Sequence, residues 1–363
     1  MKKSARWSLA AAVPVVVVAA AGIVVPAVSA NAEVVLPEKS PQQVLELAVS
    51  SGGTAFSGTV EQTSDLGLPE VPASAQGGAA GDSTADALEL LTGSHTAKVF
   101  VDGASKQRVQ LVEDLAERDV VRDGTSVWGW DSSSKEATHL TLPDATGVEV
   151  PTVLPDGTAV PQTPAELAAA LIAAVEPTTT VTAADNVEVA GRSAYQVVLT
   201  PKDDATLVAS ATLTVDSETG VPLKVVVAAK GQADPAVSVG FTSVDFSAPA
   251  SSVFAFTPPA GAEVTEVAAP DGAHDRGHAA RDAGDAPVVV GSGWSTVVGT
   301  SVPAATGTSA SDEASSLLDQ MTTAVDGGRV VETSLLSVYL GDDGRVWAGA
   351  VDAAALQAAV AGR

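Results

Sequence analysis

The sequence predicts an α+β protein whose main part is a large antiparallel sheet, followed by a small second α+β module. Short apolar segments separated by turn residues succeed one another over 95–143 and again over 193–256, which is typical of antiparallel meanders. Helix-capping sequences interrupt these segments at only a few places. Small and charged residues without an apolar pattern fill 269–287 and separate the C-terminal residues from the rest.

The composition fits a globular protein and excludes several functions. Of 363 residues, 45% are hydrophobic and 17% are charged, and 44 acidic residues outnumber 19 basic ones. A nucleic-acid binder needs clustered Lys and Arg to displace counterions, and anionic lipid surfaces attract the same residues. Because the net charge is −25, we expect no nucleic-acid partner, and an anionic membrane surface is disfavoured. The absence of cysteine excludes disulfides, thiolate chemistry and cysteine-ligated metals.

The first residues, 1–32, predict an export signal. Lys2, Lys3 and Arg6 precede an apolar run over 9–28, and Ala30-Asn31-Ala32 then has the small-x-small form that signal peptidase accepts. A run of about 20 residues can also span a bilayer, so an uncleaved N-terminal anchor is the alternative. Both interpretations predict that the remaining chain is exported, either to the cell envelope or into the medium.

The first domain is predicted to run from residue 33 to residue 265 and to begin with a capped helix. Ser40-Pro41-Gln42-Gln43 combines an N-cap, a proline at the first helical position and a capping-box glutamine. The alternating segment Ala55–Thr63 then predicts the first strand. Residues 67–86 are rich in Gly, Ala, Ser and Pro without periodicity, and they predict a mobile loop.

A second helix is predicted to separate two runs of strands. Its capping box is Thr163-Pro164-Ala165-Glu166, and Pro177 ends it. Strands are predicted at 97–101, 108–112, 119–122, 125–130 and 138–142 before this helix, and at 193–200, 210–216, 223–229, 237–246 and 253–256 after it. Pro258-Pro259 marks the predicted end of the sheet.

The remaining chain divides into a linker, 266–288, and a C-terminal α+β module, 289–363. The module is predicted to contain strands at 293–298, 329–339 and 345–351, a helix at 311–325, and a last helix capped by Asp352. Because small and charged residues dominate the linker, we expect few contacts between the module and the first domain. The first domain is therefore expected to stay folded when the module is removed.

Several segments of the first domain occur in an order that is shared with a known superfamily. They are the capped first helix with Phe56-Ser57-Gly58-Thr59-Val60 after it, Arg122 through Asp131, the proline-started helix at Thr163, Val189 through Tyr195, Asp216 through Pro222, and Phe254 through Gly261. In this order they resemble the LolA/LolB and RseB (MucB) superfamily of periplasmic lipoprotein carriers and sensors, in the form found in exported actinobacterial proteins. The resemblance covers about residues 38 to 265 and leaves the C-terminal module unmatched.

The resemblance implies a half-open antiparallel β-barrel wrapped around helices, with an apolar cavity between sheet and helices that accepts an acyl chain of a lipid or lipoprotein. The strands support a cavity independently, because segments such as Lys98-Val99-Phe100-Val101 put apolar groups on both faces, although a packed core would need the same arrangement. The residues predicted to line it are Phe56, Val60, Val99, Val101, Val109, Leu111, Trp128, Trp130, Leu167 and Leu171. The alternative function is an RseB-like sensor whose partner is a membrane anti-sigma factor.

The sequence contains no recognisable catalytic motif, so a non-enzymatic protein without cofactor or metal is expected. His274 and His278 have a spacing that zinc could use, but Gly272 and Gly277 place them in the linker. A G-x-S-x-G elbow, a P-loop and a dinucleotide fingerprint are all missing. His139 lies on a predicted strand, where a surface histidine is more common than a catalytic one.

Trp128 and Trp130 are two residues apart on a predicted strand and should therefore point to the same side of the sheet. Two large aromatic side chains on one face either fill a core or form the floor of a cavity. Because aromatic residues make up only 4% of the chain, this pair is the best aromatic candidate for contact with a ligand.

Overall fold

A computed structural model describes residues 34–68, 93–112, 116–143, 164–268, 288–301 and 322–362. The helices are α1 (Pro41–Ser50), α2 (Pro164–Val175) and α3 (Ala353–Ala361). The strands are β1 (Phe56–Ser64), β2 (Gly93–Val101), β3 (Lys106–Val112), β4 (Glu117–Asp123), β5 (Ser126–Asp131), β6 (Glu136–Thr141), β7 (Thr179–Val189), β8 (Arg192–Pro201), β9 (Val208–Asp216), β10 (Pro222–Ala229), β11 (Val237–Asp245), β12 (Glu263–Ala268), β13 (Val288–Val290), β14 (Val297–Ser301), β15 (Thr323–Val325), β16 (Gly328–Glu332), β17 (Ser337–Gly341) and β18 (Arg345–Gly349).

The main sheet is open and has twelve strands in the order β12-β6-β5-β4-β3-β2-β1-β11-β10-β9-β8-β7. Two antiparallel meanders, β1–β6 and β7–β11, lie side by side and join where β1 pairs with β11. The last strand, β12, returns to the far edge and pairs in parallel with β6. The fold is thus mostly antiparallel sheet with few helices, as predicted, and the open sheet agrees with a half-open barrel.

The first helix begins at the residue that its capping sequence predicts. Ser40 Oγ accepts from the Gln43 N–H, and the Gln43 side chain accepts from the Ser40 N–H, so both halves of the capping box form. Gly220, at a φ of +78°, permits the close approach of the β9–β10 turn, because a Cβ there would collide with the Leu47 carbonyl at the end of α1. The turn and the helix therefore pack directly together.

One face of the main sheet, called the helix face here, packs against α1. Val44 of α1 is buried against Tyr195, Val197 and Val215 of β8 and β9, and α1 also contacts α2. The five strands β7–β11 curl around this face, so that β7 and β11 come into contact. The opposite side of the sheet is called the outer face.

Several strand predictions were wrong. Strand β12, which was not predicted, continues the sheet to Ala268. Strand β7 was not predicted, because its mostly exposed residues do not alternate between apolar and polar. The single strand predicted at 329–339 is two strands, β16 and β17, since the Thr333 hydroxyl accepts from the Leu336 N–H and turns the chain without Gly or Pro.

The C-terminal module is a six-stranded sheet in the order β13-β14-β18-β17-β16-β15, with α3 on one face. Its core contains Leu356, Tyr339 and Trp347. Trp294 lies in a short 3-10 turn rather than in the predicted strand. The end of the helix predicted at 311–325 is strand β15, whereas 311–321 lie outside the described residues.

The module contacts the first domain more than the linker composition predicts. Hydrogen bonds join the two at three places: from Thr206 Oγ1 to the Ala350 carbonyl (2.8 Å), from Trp294 Nε1 to Thr179 Oγ1 (2.7 Å) and from the Ser334 N–H to the Leu66 carbonyl (2.9 Å). These residues lie where β1 ends, where β7 begins and between β8 and β9. The module therefore docks at one end of the main sheet.

Four sequence predictions lie wholly or mostly outside the described residues. These are the export signal 1–32, the mobile loop 67–86, most of the linker and the pair His274 and His278. Within the described part of the chain, no helix is both long enough and apolar enough to cross a membrane.

Candidate functional site

Six of the ten residues predicted to line a cavity lie together on the helix face. Val60, Val99 and Leu111 form a buried cluster with Ala97, each no more than 7% exposed. Phe56, Val101 and Val109 are partly buried and pack against this cluster. The strand register explains the grouping, because the pairs Val60–Ala97 and Ala97–Leu111 lie directly opposite each other across β1, β2 and β3.

Two further residues belong to this apolar cluster, and the sequence prediction missed them. Val239 and Phe241 of β11 pack against it, and Phe241 lies opposite Val60. Phe241 also meets Phe56 edge to face, with ring centroids 5.8 Å apart. The alternation of Val237, Val239 and Phe241 was visible in the sequence, but nothing local indicated that β11 pairs with β1.

A glycine allows the central strands to approach at this cluster. A Cβ at Gly58 would collide with the Ser243 carbonyl and the Phe241 ring, and the β1–β11 register shifts between Thr59 and Val60. Such a bulge bends the sheet locally and increases its twist. Gly58 and the bulge therefore contribute to the curvature of the helix face.

The two predicted tryptophans do share one side, but it is the outer face. Trp128 lies opposite the buried Val121, and its ring stacks on His139 with centroids 4.2 Å apart. Phe256 packs beside both Trp128 and Trp130, with centroids 5.5 and 6.3 Å away. The tryptophans thus fill an aromatic cluster on the outer face and cannot line the same cavity as the six residues above.

The predicted α2 residues, Leu167 and Leu171, are not part of this apolar cluster as the structure describes it. Leu171 is 45% exposed, while Ala168 of the same helix is fully buried. The Leu167 side chain lies outside the described part of the structure. The most buried side chain described on α2 is thus an alanine that the sequence did not single out.

A surface groove of about 550 Å³ lies at the end of α2, away from the predicted cavity. The residues that line it are Ala173, Glu176, Pro177, Thr179, Thr180, Val181 and Lys202. The Lys202 ammonium donates to the Glu176 carbonyl and thereby satisfies one of the free carbonyls at the end of the helix. Thr179 connects this groove to the docked module through Trp294.

Two buried aspartates, one in each half of the sheet, are each bound by an arginine. Arg108 donates to both oxygens of Asp119, and Arg192 does the same to Asp216. Burial raises the pKa of Asp119 above its usual value, and Arg108 only partly opposes this. Burial also acts to raise the pKa of Asp216, but hydrogen bonds from Arg192 and Thr219 outweigh it and hold the pKa below its usual value.

The Arg108 pair also anchors the segment that covers the outer face. Arg108 Nη1 donates to the Val253 carbonyl at 3.2 Å, and the adjacent Phe254 is only 1% exposed. The outer face of β3 and β4 is therefore closed by charged and aromatic side chains. An apolar lining without charged side chains is found at the cluster on the helix face.

Comparison with known proteins gives structural matches only. No protein-family model and no curated protein matches the chain. The chain is similar to the solved complex of MucA and MucB from Pseudomonas aeruginosa, with 16% identity and a TM-score of 0.45 over 88% of this chain and 96% of that chain. It is also similar to a LolA superfamily protein from Nitrosomonas europaea, with 11% identity and a TM-score of 0.25 over 60% of this chain and 99% of that chain.

A further match is an uncharacterized conserved protein from Thermus thermophilus, with 12% identity and a TM-score of 0.36 over 62% of this chain and 98% of that chain. MucB and the LolA superfamily are also the groups that the sequence motifs resemble. At these identities and TM-scores the likeness carries no information about a ligand or partner.

Proposed function

We propose that this chain is an exported, non-enzymatic protein that binds an acyl chain of a lipid or lipoprotein on the helix face of its main sheet. One observation supports the proposal above all. The apolar cluster of Val60, Ala97, Val99 and Leu111 extends the helix face beyond the part that α1 covers, because α1 packs over β7–β9. Each CH₂ group removed from water there would gain about 0.8 kcal/mol.

The polarity of the helix face supports one orientation of the ligand. Phe56 and Val101 pair at one end of β1 and β2, whereas Gln62 and His95 pair near the other end, which is the end where the module docks. Gln62 and His95 are 5% and 7% exposed. We expect the hydrocarbon to lie near Phe56 and the polar end of the ligand to lie toward Gln62.

The test is to purify the full chain from its native membranes or medium, extract lipids and identify them by mass spectrometry. Uptake of a fluorescent fatty acid by delipidated protein is the second measurement. Val101→Trp would fill the helix face and should reduce uptake at least several-fold. Phe100→Trp is the matched control, because it changes the neighbouring residue of β2, which points to the outer face.

Three results would contradict acyl binding. They are repeated recovery without stoichiometric lipid, absence of fatty-acid uptake, and an equal effect of the two tryptophan variants. The last result would show that uptake does not take place on the helix face.

The second candidate is an RseB-like sensor that binds a membrane anti-sigma factor. The docked C-terminal module favours it, since a simple carrier needs no second domain and this one is hydrogen-bonded to the first at Thr206, Thr179 and Leu66. Neighbouring genes discriminate between the two at little cost. A sigma factor and a membrane anti-sigma factor beside this gene would support the sensor, while a lipoprotein exporter would support the carrier.

A further inference from the structure

Three polar side chains form a hydrogen-bonded chain on the outer face, and no local motif joins them. Ser126 lies on β5, His139 on β6 and Glu266 on β12. Ser126 Oγ lies 2.9 Å from His139 Nε2, and His139 Nδ1 lies 2.8 Å from Glu266 Oε2. The register brings them together, because His139 lies directly opposite Glu266 on one side and opposite Trp128, two residues from Ser126, on the other.

The carboxylate determines which way these hydrogen bonds run. An ionised carboxylate only accepts hydrogen bonds, so Nδ1 of His139 carries the proton that faces Glu266. In the neutral ring Nε2 is then the acceptor, and it takes its hydrogen bond from the Ser126 hydroxyl. A hydroxyl that donates to a histidine oriented by a carboxylate is the arrangement that activates a serine nucleophile.

Neighbouring aromatic rings hold the histidine in place and offer a surface for a substrate. The His139 ring stacks on Trp128 at an interplanar angle of 15°, and Phe256 packs against the same tryptophan. These hydrogen-bonded side chains are accessible to solvent, since the Glu266 side chain is 68% exposed and that of His139 is 20% exposed. Ser126 is itself half-buried rather than enclosed, so a small ester can reach its hydroxyl.

We propose that Ser126 is a reactive nucleophile that accepts an acyl or phosphonyl group from activated esters, with His139 as its base and Glu266 as a positioning residue. With a fluorophosphonate, the Ser126 oxygen forms a bond to phosphorus as its proton passes to His139 Nε2. The phosphorus–fluorine bond breaks, fluoride leaves, and the proton then passes from His139 to water. The site lies on the opposite face from the proposed acyl-binding cluster and does not depend on that proposal.

The backbone around Ser126 limits the rate that this site can reach. Ser126 lies in a regular strand, paired with Asp123 of β4 and Thr141 of β6, so its strand neighbours engage the backbone groups that would otherwise form an oxyanion hole. General-base assistance alone contributes roughly 10²–10⁴-fold. We therefore expect slow, stoichiometric modification rather than rapid turnover.

The test is to incubate the full chain with a biotinylated fluorophosphonate and to map the adduct by peptide mass spectrometry. The adduct is expected on Ser126, absent in Ser126→Ala, and formed roughly 100-fold more slowly in His139→Gln. Ser133→Ala is the matched control, because the Ser133 hydroxyl bonds to Asp131 with no histidine beside it and its removal should leave the rate unchanged. Glu266→Gln should slow labelling, and Glu266→Asp, which keeps the charge, should recover part of the rate.

An adduct spread over several serines at similar rates would overturn the proposal, as would an unchanged rate in His139→Gln. If a variant fails to fold, the adduct map of the unaltered chain decides by itself. Modification of Ser126 ahead of Ser133 supports the proposal, and equal or absent modification of Ser126 refutes it.

Discussion

Each half of the main sheet contains a buried pair of arginine and aspartate, but the pKa of the aspartate is shifted in opposite directions in the two halves. In the β1–β6 half, Asp119 is 3% exposed and its pKa is raised, because burial outweighs Arg108 and the nearby Glu117 adds a second negative charge. In the β7–β11 half, Asp216 is fully buried and its pKa is lowered. The arginine contacts are alike, so the difference lies in the neighbouring charge of Glu117 and in the remaining hydrogen bonds.

Asp216 receives donors that Asp119 lacks in the described structure. The Glu218 N–H, the Thr219 N–H and the Thr219 hydroxyl all donate to Asp216 Oδ1 within the β9–β10 turn. Several donors to one carboxylate favour its charged form even when it is buried. An arginine alone is therefore not enough to make a buried carboxylate favourable, and the turn that surrounds it decides the outcome.

The largest expected effect is the loss of Arg192. Arg192→Met leaves Asp216 as a buried charge without its cationic partner and should lower the free energy of unfolding by about 3–5 kcal/mol. Arg108→Met should cost less, about 1–3 kcal/mol, because Asp119 is already nearer to accepting a proton. Arg118→Met is the control, since its pair with Asp131 is part-exposed and should be worth about 0–1 kcal/mol. Urea denaturation at pH 7 measures all three, and equal losses at Arg108 and Arg192 would contradict the comparison.

The second prediction concerns pH and the variants Asp216→Asn and Asp119→Asn. Because the folded pKa of Asp216 is lowered, its charged form stabilises the protein above the unfolded pKa of about 3.9, and this contribution is lost as the pH falls through the folded pKa. The cost of Asp216→Asn should therefore shrink between pH 7 and pH 3. The contribution of Asp119 to stability depends on pH in the opposite direction. Because its folded pKa is raised, its protonated form stabilises the protein at low pH, and this contribution is lost as the pH rises through the folded pKa.

Asparagine resembles the protonated acid, so Asp119→Asn should cost least at pH 7 and most near pH 3. Unfolding free energies at three pH values, each compared with the unaltered chain at the same pH, test whether the costs of the two substitutions change with pH in opposite directions. Costs that change in the same direction for both variants would show that the two carboxylates are alike after all.

Local sequence signals predicted which segments form helices and strands better than they predicted which strands pair with each other. The capping box at Ser40 and Gln43 and the alternating strands β8–β11 are local, and the structure confirms them. The parallel pairing of β12 with β6 joins residues more than 120 positions apart, and no local pattern marks it. A strand at a sheet edge buries little, so its sequence need not alternate.

The candidate site shows the same limit. Alternation correctly predicted that Trp128 and Trp130 share a side, but whether Val99 lies on that side depends on the register of β2 through β5. Within a strand the period is two, whereas between strands only the pairing determines the face. Ser126, His139 and Glu266 were missed for the same reason, because three strands bring them together.

The third prediction extends the comparison to a buried hydroxyl with a neutral partner. Trp294→Phe removes the hydrogen bond to Thr179, which is 1% exposed, and should lower the free energy of unfolding of the full chain by about 1 kcal/mol. Thermal or urea unfolding of the full chain is the measurement. An unchanged stability would mean that this contact does not hold the module to the sheet.

The smallest expected effect is a gain, at a buried hydroxyl with no partner. Ser337 is fully buried on β17, and its Oγ has no hydrogen-bond partner within the described structure. A buried polar atom without a partner costs about 1–3 kcal/mol of desolvation, so Ser337→Ala should leave stability unchanged or raise it by up to about 1 kcal/mol once the lost packing is subtracted. Thr206→Val is the matched control, because Thr206 is equally buried but its hydroxyl donates to the Ala350 carbonyl, and its loss should cost about 1 kcal/mol. If the free energy of unfolding rises in Ser337→Ala and falls in Thr206→Val, the partners of a buried neutral group decide its effect on stability, as they do for the two buried aspartates. A loss at Ser337 as large as that at Thr206 would contradict this.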